Sequence, residues 1–343
     1  MLKKMLFLLF ITGVLCAGEL KLIQKIEVED LIVKLVVKEK KIFFQTPKEI
    51  VMLSNEGKIE KTIGRIGEGP GEYKNLIDFI VTKDEIIAAD FFNKISVYDA
   101  DGKHKNNIRL KGFVENVYFA NNKLYYLTKK MEKKQDRRIY YRLSLQEVIS
   151  GKELTSFDDS SLVFAARPGK KTIPAPWFPA PFYNRLIIVS DNNKLWAFFT
   201  KETVYFELSE KEIKKKNFKF KLESEKVQSM DIDNFFERIE KVNKRKLPSE
   251  TKQSIKFPKT KELFVGVIAC GEGFGIITKT GLLHISSDGE IIKRLDLASK
   301  MGEKSIIDDD IAGPVEKRLV YDDNLLYLAT TDGEIFVFKI INK

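Results

Sequence analysis

Cysteine and histidine are nearly absent from this 343-residue chain, which holds two of each. Cys16 falls in an N-terminal leader, so Cys270 is the only thiol left for an internal bond; an intramolecular disulfide and a cysteine metal site are both excluded. With His104 and His284 as the only histidines, neither a serine-type relay nor a histidine metal cluster is expected. No catalytic residue, no metal and no cofactor is therefore expected. Long apolar runs are scarce as well. The run from Met5 to Leu15 falls short of the roughly 20 residues a spanning helix needs, and no other stretch approaches that length, so no stable transmembrane segment is expected.

What is present begins with that leader. In "MLKKMLFLLFITGVLCAGEL", Lys3 and Lys4 precede the apolar run, and small residues follow at Cys16, Ala17 and Gly18. This is the layout of a secretory signal peptide, taken as residues 1–18, with cleavage expected after Ala17 or Gly18. Lipid anchoring at Cys16 is the alternative, against which the bulky Leu15 stands where a small residue is expected. Residues 19–343 are then one exported domain, periplasmic or extracellular. Its 59 Lys and Arg against 49 Asp and Glu, a formal charge of +10, favour anionic surfaces in general. The lysine-rich stretches "KEIKKKNFKFK" and "KKMEKKQDRR" fall on an outer strand and a hairpin tip, so nucleic acid is not an expected partner.

From Leu31 onward one pattern recurs: three apolar strands separated by turns, then a charged fourth strand. Copies occupy residues 31–63 and 77–110, a third is stretched by a charged tip between Lys129 and Arg138, and two more follow at 185–220 and 262–297. A sixth, "KRLVYDDNLLYLATTDGEIFVFKI", stops one strand short. "ELKLIQKIEV", residues 19–28, has strand character and no other sheet to join, so it is expected to complete the last copy. The fold class that follows is all-β, a six-bladed propeller of four-stranded antiparallel blades closed by its N-terminal strand.

The glycines of "TIGRIGEGPGEYKNLIDFIV" are spaced like a phosphate loop, but Gly69 is followed by Pro70 where Lys and Ser or Thr are needed, and strand-like sequence follows where a helix should open. They are read as a tight connection between blades in which glycine accepts positive φ. "GRIGEGPGEYKNLIDFIV" with "AADFFNKISVYDADGK" resembles the bacterial six-bladed β-propeller family related to NHL repeats, over residues 64–103, with Tyr73 in the aromatic position. The resemblance implies an exported propeller and names no activity.

Three long insertions, 158–184, 222–260 and 298–316, separate the outer strand of one blade from the inner strand of the next, which places them on one face with the glycine loop. Within the second, residues 231–246 have helical spacing, with Ile232, Phe235, Phe236, Ile239 and Val242 on one side. The first carries the stiff aromatic strip "PAPWFPAPFY". Candidate ligand-binding residues on this face are Arg65, Tyr73, Asp90, Phe91, Phe92, Trp177 and Tyr183, which join contact area to hydrogen-bonding or charged groups. Cys270 is read as a buried hydrophobe and Asp308 to Asp310 as an acidic turn. The function expected is a binding or scaffold module for a glycan, peptide or envelope protein. The rival is a metal-dependent propeller enzyme, lactonase-like or a lyase, whose axial ligands would start at Asp78 and Asn116.

Overall fold

In the computed structural model, which describes residues 17–342 apart from 55, 134–137, 166–183, 192, 245, 248, 250–251, 253–256, 272, 280 and 302–313, the chain forms six antiparallel blades. A first strand, β1 (Ala17–Glu27), precedes them. Blade one is β2 (Lys34–Lys38), β3 (Lys41–Gln45), β4 (Ile50–Leu53) and β5 (Ile59–Ile63). A small parallel pair, β6 (Arg65–Ile66) and β7 (Glu72–Tyr73), leads to blade two: β8 (Leu76–Val81), β9 (Glu85–Asp90), β10 (Lys94–Asp99) and β11 (His104–Arg109). Blade three is β12 (Val114–Ala120), β13 (Lys123–Lys133), β14 (Arg138–Glu147) and β15 (Glu153–Ala165), and blade four is β16 (Leu186–Asp191), β17 (Lys194–Phe199), β18 (Val204–Leu208) and β19 (Ile213–Asn217). Blade five follows as β20 (Gly266–Cys270), β21 (Gly273–Ile277), β22 (Gly281–Ser286) and β23 (Ile291–Asp296). The last blade is β24 (Leu319–Asp322), β25 (Leu325–Ala329) and β26 (Glu334–Asn342), with β1 as its outer strand.

The closing strand does more than fill blade six. It runs antiparallel to β26 from Gly18↔Asn342 to Glu27↔Glu334, and its first two residues also pair in parallel with β23 of blade five, Ala17↔Arg294 and Gly18↔Leu295. The strand therefore includes the two residues after which cleavage is expected from sequence. Blade three also exceeds expectation. β13, β14 and β15 lengthen into a ribbon, with pairing as far as Lys133↔Ile139 and Arg138↔Ala165, so the first eight residues of the 158–184 insertion lie in β15.

The core is not central but divided among the blade interfaces. Each of six apolar clusters joins two neighbours, from Phe43, Ile50 and Phe79 between blades one and two round to Ile32, Phe44, Tyr327 and Val337 between blades six and one. The interface of blades four and five is the most aromatic, with Trp196, Phe198, Tyr205, Phe218 and Phe274 in mutual contact. Blade alternation requires this arrangement, because a sheet whose two faces both meet another sheet has apolar residues on both sides of its middle strands; β4 reads IVML and is buried throughout. Cys270 is fully buried in the blade five and six cluster, and burial pushes its thiol up, away from the reactive thiolate.

Because every blade is a meander, successive connections alternate ends. The ends carrying β2–β3, β12–β13 and β24–β25 close in two-residue turns with positive φ at Glu39–Lys40, Asn121–Asn122 and Asp323–Asn324. All long connections leave from the other end. One of them holds α1 (Ser229–Asn243), two residues earlier at its start than the apolar spacing predicts, because the Gln228 N–H donates to Asp231 Oδ2 (2.8 Å) and sets the first turn there. Its Phe235 and Phe236 pack on Phe257 of the same insertion, and Asp231 pairs with Lys261 at 2.7 Å. Among the described residues no helix is long and apolar enough to cross a membrane.

Candidate binding face and axial polar ring

The glycine loop joins blades one and two. Gly64 and Gly71 both have φ of +70°, and the phenol rings of Tyr73 and Tyr98 occupy the space where a Gly64 side chain would stand. Tyr73 donates to Ile63 O (3.1 Å) and Tyr98 to Gly71 O (2.7 Å), which fixes both edges of the loop from beneath. Inside it lies a carboxylate of the chain itself. Glu72 Oε2 accepts from the Gly69 N–H (2.8 Å), Oε1 pairs with Arg65 Nε (2.6 Å), and a Cβ at Gly67 would fall 2.1 Å from Oε2. The Gly69 N–H, then Arg65, hold this carboxyl below its ordinary value. The loop is thus a closed connection around its own anion, which is why glycine spacing without a Lys-Ser or Lys-Thr pair makes no phosphate cradle here.

The β9–β10 turn stands beside this loop. Asp90, almost fully buried, accepts from Lys74 N (2.7 Å) and Phe92 N (3.0 Å), clamping the loop exit to the turn. Phe91 N–H donates to Asn75 O, and Leu110 N–H to Asn93 O, so the β11–β12 connection is drawn to the same place. There Phe91 stacks on Phe113 at 4.9 Å and meets Phe92 edge-on at 5.5 Å. Phe92 and Phe113 are about half exposed, at 49% and 52%, and form an aromatic ledge that water wets.

Of the residues singled out from sequence, Arg65 is exposed but engaged by Glu72, and Phe91 and Phe92 build the ledge. Tyr73 and Asp90 are buried and hold the loop and turn in place. Trp177 and Tyr183 lie outside the described residues, as does the acidic run at 308–310. Phe113 was missed. Its signal was its place: "KGF" directly precedes an inner strand, on the same face as the glycine loop.

A second constellation lines the axis, where the inner strands β2, β8, β12, β16, β20 and β24 meet in a closed ring. Blades two and three carry the same irregularity, a bulge that skips Ile77 in β8 and Glu115 in β12, and it brings Asp78 and Asn116 to equivalent positions. Asp78 Oδ1 pairs with Lys34 Nζ of blade one (2.6 Å), and Oδ2 accepts from Val117 N (2.9 Å) and Asn116 Nδ2 (3.3 Å). Burial alone would push the Asp78 carboxyl up, but Lys34 and Lys317 overcome it and hold the group below its ordinary value. Lys34 itself is pulled down by burial and by the like charge of Lys317, against the attraction of Asp78.

Blades four to six complete the ring. Arg185, just ahead of β16, donates to Val265 O and stands 3.8 Å from Glu316 Oε1. Burial pushes the Glu316 carboxyl up, and its Oε2 has no hydrogen-bond partner among the described residues. Lys317 reaches across to blade two, 3.5 Å from the carbonyl of the bulge residue Ile77. Tyr118 lies close enough to Asp78, Glu316 and Glu115 that, after burial, their charges push its hydroxyl further up. Among the described residues no three His, Cys, Asp or Glu side chains gather as a metal-binding group. The expected nucleus of a metal site, Asp78 with Asn116, has its carboxylate already engaged by an ammonium and two N–H donors.

Ring closure, interblade cores and the one-sided connections define a six-bladed β-propeller with four-stranded blades. In agreement, a family model described as "6-bladed beta-propeller" matches residues 27–162. No curated protein sequence matches the chain. Among solved structures the chain is similar to a Bacteroides fragilis NCTC 9343 protein named as a candidate exported protein, at 11% identity and TM-score 0.52, covering 94% of this chain and 95% of that one. It is less similar to BamB from Moraxella catarrhalis, at 10% identity and TM-score 0.43 over 93% and 99% of the chains. Glutaminyl cyclase from Myxococcus xanthus gives 8% identity and TM-score 0.40 over 96% and 99%. At such identities the likeness is one of fold and carries no ligand or chemistry across.

Proposed function

We propose that this chain is an exported binding or scaffold module that recognises a glycan, peptide or envelope protein on the face bearing its long connections. The observation that carries the reading is the Phe91–Phe92–Phe113 ledge. Two half-exposed rings are held there by a buried carboxylate clamp and a closed glycine loop, so the apolar surface is rigid before any partner arrives. Rigid aromatic anchors on a fixed scaffold bind with little loss of side-chain freedom, and loops on such scaffolds are where recognition concentrates. The relation to NHL repeats belongs to the same reading, and rests on the 64–73 loop and the "DADGK" hairpin, where Asp99 caps the turn through Asp101 N and Lys103 N. Export rests on the leader, with either ordinary cleavage or acylation at Cys16 delivering the domain to the envelope. The enzyme reading loses its main support with the engagement of Asp78.

The test is capture of envelope glycans and of a library of envelope peptides by the mature protein and by a Phe92→Ala/Phe113→Ala variant. Loss of capture by about tenfold or more in a variant of unchanged melting temperature is expected, in line with removal of two interfacial aromatics. Equal capture by both proteins would move recognition away from the ledge.

A further inference from the structure

The outer rim of blade six carries apolar surface that neither the ledge nor the interblade cores account for. Leu22 and Ile23 of β1 are each about half exposed. The β1–β26 ladder slips by a residue at Ile23, and such a bulge turns a side chain out of the strand alternation. Leu22 borders a groove of about 330 Å³ formed by β1, β26 and the short helix α2 (Ala298–Met301). Leu20, Phe336 and Phe338 continue its apolar wall, and Ile341, also exposed, closes it. Single exposed apolar residues are ordinary on a protein surface, whereas a group of them around an open groove marks an interface.

The place of this surface along the chain points to its occupant. β1 opens at Ala17, where residues 1–16 join the domain, and Ala17 pairs with Arg294 of β23. The groove begins two residues further on, at Glu19, and Ile292 is exposed two residues ahead of Arg294. Exposed apolar side chains therefore flank the point from which a leader, or an acyl group on Cys16, would hold the chain to a membrane. Lys21 and Lys300 stand at the groove with the one carboxyl of Glu19, and Lys339 lies directly opposite Lys21 in the ladder. Lys25, further along β1, is already engaged by Glu27 and Glu334.

We propose that this rim is a membrane seat: Leu22, Ile23 and Ile341 enter the surface of an anionic phospholipid leaflet, the groove takes one acyl chain, and Lys21, Lys300 and Lys339 lie among the headgroups. The seat stays at headgroup depth. Beyond Gly18 no strand among the described residues pairs with the outer edge of β1, so its N–H and C=O groups need water. A single acyl chain anchors a protein only marginally, and a basic apolar rim beside Cys16 would be the second attachment that stable anchoring requires. After ordinary cleavage the same rim would bind the leaflet reversibly.

This inference rests on the export reading and is tested separately from it and from the ledge. Recovery of the chain in the cytoplasm on cell fractionation would refute export, whereas vesicle binding asks only about the rim. The mature chain without an acyl group would be sedimented with phosphatidylglycerol vesicles and with phosphatidylcholine vesicles, at low and at physiological salt. Binding to phosphatidylglycerol that weakens with salt is expected, and binding to phosphatidylcholine should be weaker by about tenfold or more. Leu22→Ser/Ile23→Ser should weaken the first by about tenfold or more, the effect of losing two partly exposed aliphatic side chains. Lys21→Gln/Lys300→Gln should do so by a similar factor, about tenfold. Lys219→Gln/Lys221→Gln, which removes the same charge beyond β19 of blade four, should change binding by less than about twofold. The lysine pairs decide the matter if the apolar variant fails to fold, and Phe92→Ala/Phe113→Ala should bind vesicles as wild type does. No vesicle binding, equal binding to both lipids, unchanged binding in a folded Leu22/Ile23 variant, or equal losses in the two lysine pairs would each overturn the assignment. So would self-association that the Leu22/Ile23 change abolishes while vesicle binding persists, since the groove would then belong to a second copy of the chain.

Discussion

Asp90 illustrates how a single buried side chain can organise a whole face. Its two oxygens take the N–H groups of Lys74 and Phe92, one on the glycine-loop exit and one in the turn, and almost none of it is exposed. Removing the carboxylate leaves two N–H groups with no acceptor. Asp90→Ala is therefore expected to cost about 2–4 kcal/mol, measured by urea unfolding, since charge-assisted hydrogen bonds and the stranded donors each contribute on the order of 1–3 kcal/mol. Asp90→Asn, which keeps one acceptor oxygen, should recover part of the loss. Sequence placed Asp90 in a turn on the face that bears the long connections because "DFFN" has the form of a turn; its role as a buried clamp is set by tertiary packing, which a short motif does not encode.

At the scale of the element, β1 is the piece on which the ring depends. Leu20 and Ile26 are buried at 2% and 5%, Leu20 in the blade five and six cluster and Ile26 in that of blades six and one. Losing those two side chains alone removes about 3–6 kcal/mol of burial, before the exposed edge of β26 is counted. A chain lacking residues 17–28 should unfold at markedly lower temperature or aggregate, and an unchanged melting temperature would show that closure does not depend on β1. A chain starting at Glu19 should fall between this truncation and one starting at Ala17, because it forfeits the Ala17↔Arg294 and Gly18↔Leu295 rungs to blade five. The alternation of "ELKLIQKIEV" made the closing strand legible. Its extension to blade five was not, because "AG" has no pattern of its own and becomes strand only where β23 offers free backbone groups.

For the molecule as a whole, the axial ring makes stability depend on pH in two opposing ways. Asp78, held below its ordinary value, contributes stability that is present above the unfolded carboxyl value and is lost as pH falls through its folded value. Glu316 has the opposite sign. Its folded value is raised, so its contribution is full below the unfolded value and declines as pH rises through the folded one. Glu316→Gln, which keeps an oxygen for Arg185, should flatten that decline and gain stability relative to wild type at pH values above the ordinary carboxyl range, followed by urea midpoints. A variant that loses stability throughout this range would show Glu316 ionised and paired with Arg185. The many exposed ion pairs elsewhere, such as Lys219 with Glu290 or Lys221 with Glu223, contribute little by comparison.

Strand periodicity, turn residues and the missing last strand were enough by themselves to define six blades, the N-terminal closure and a helix before blade five, because each of these is a local pattern repeated along the chain. The same repetition predicted one elaborated face, since a meander must return to the same end. The axial ring was legible only at Asp78 and Asn116. Its other members begin different inner strands, and contacts such as Lys317 to Ile77, 240 residues apart, exist only after the ring has closed. The bulges at Ile77 and Glu115 and the Glu72 carboxylate curled under Gly69 likewise had no local signature, and the place of Phe113 before an inner strand did not show that it would stack on Phe91. Each is decided by which blade arrives beside which, and by the burial that follows when six half-finished sheets complete one another's cores.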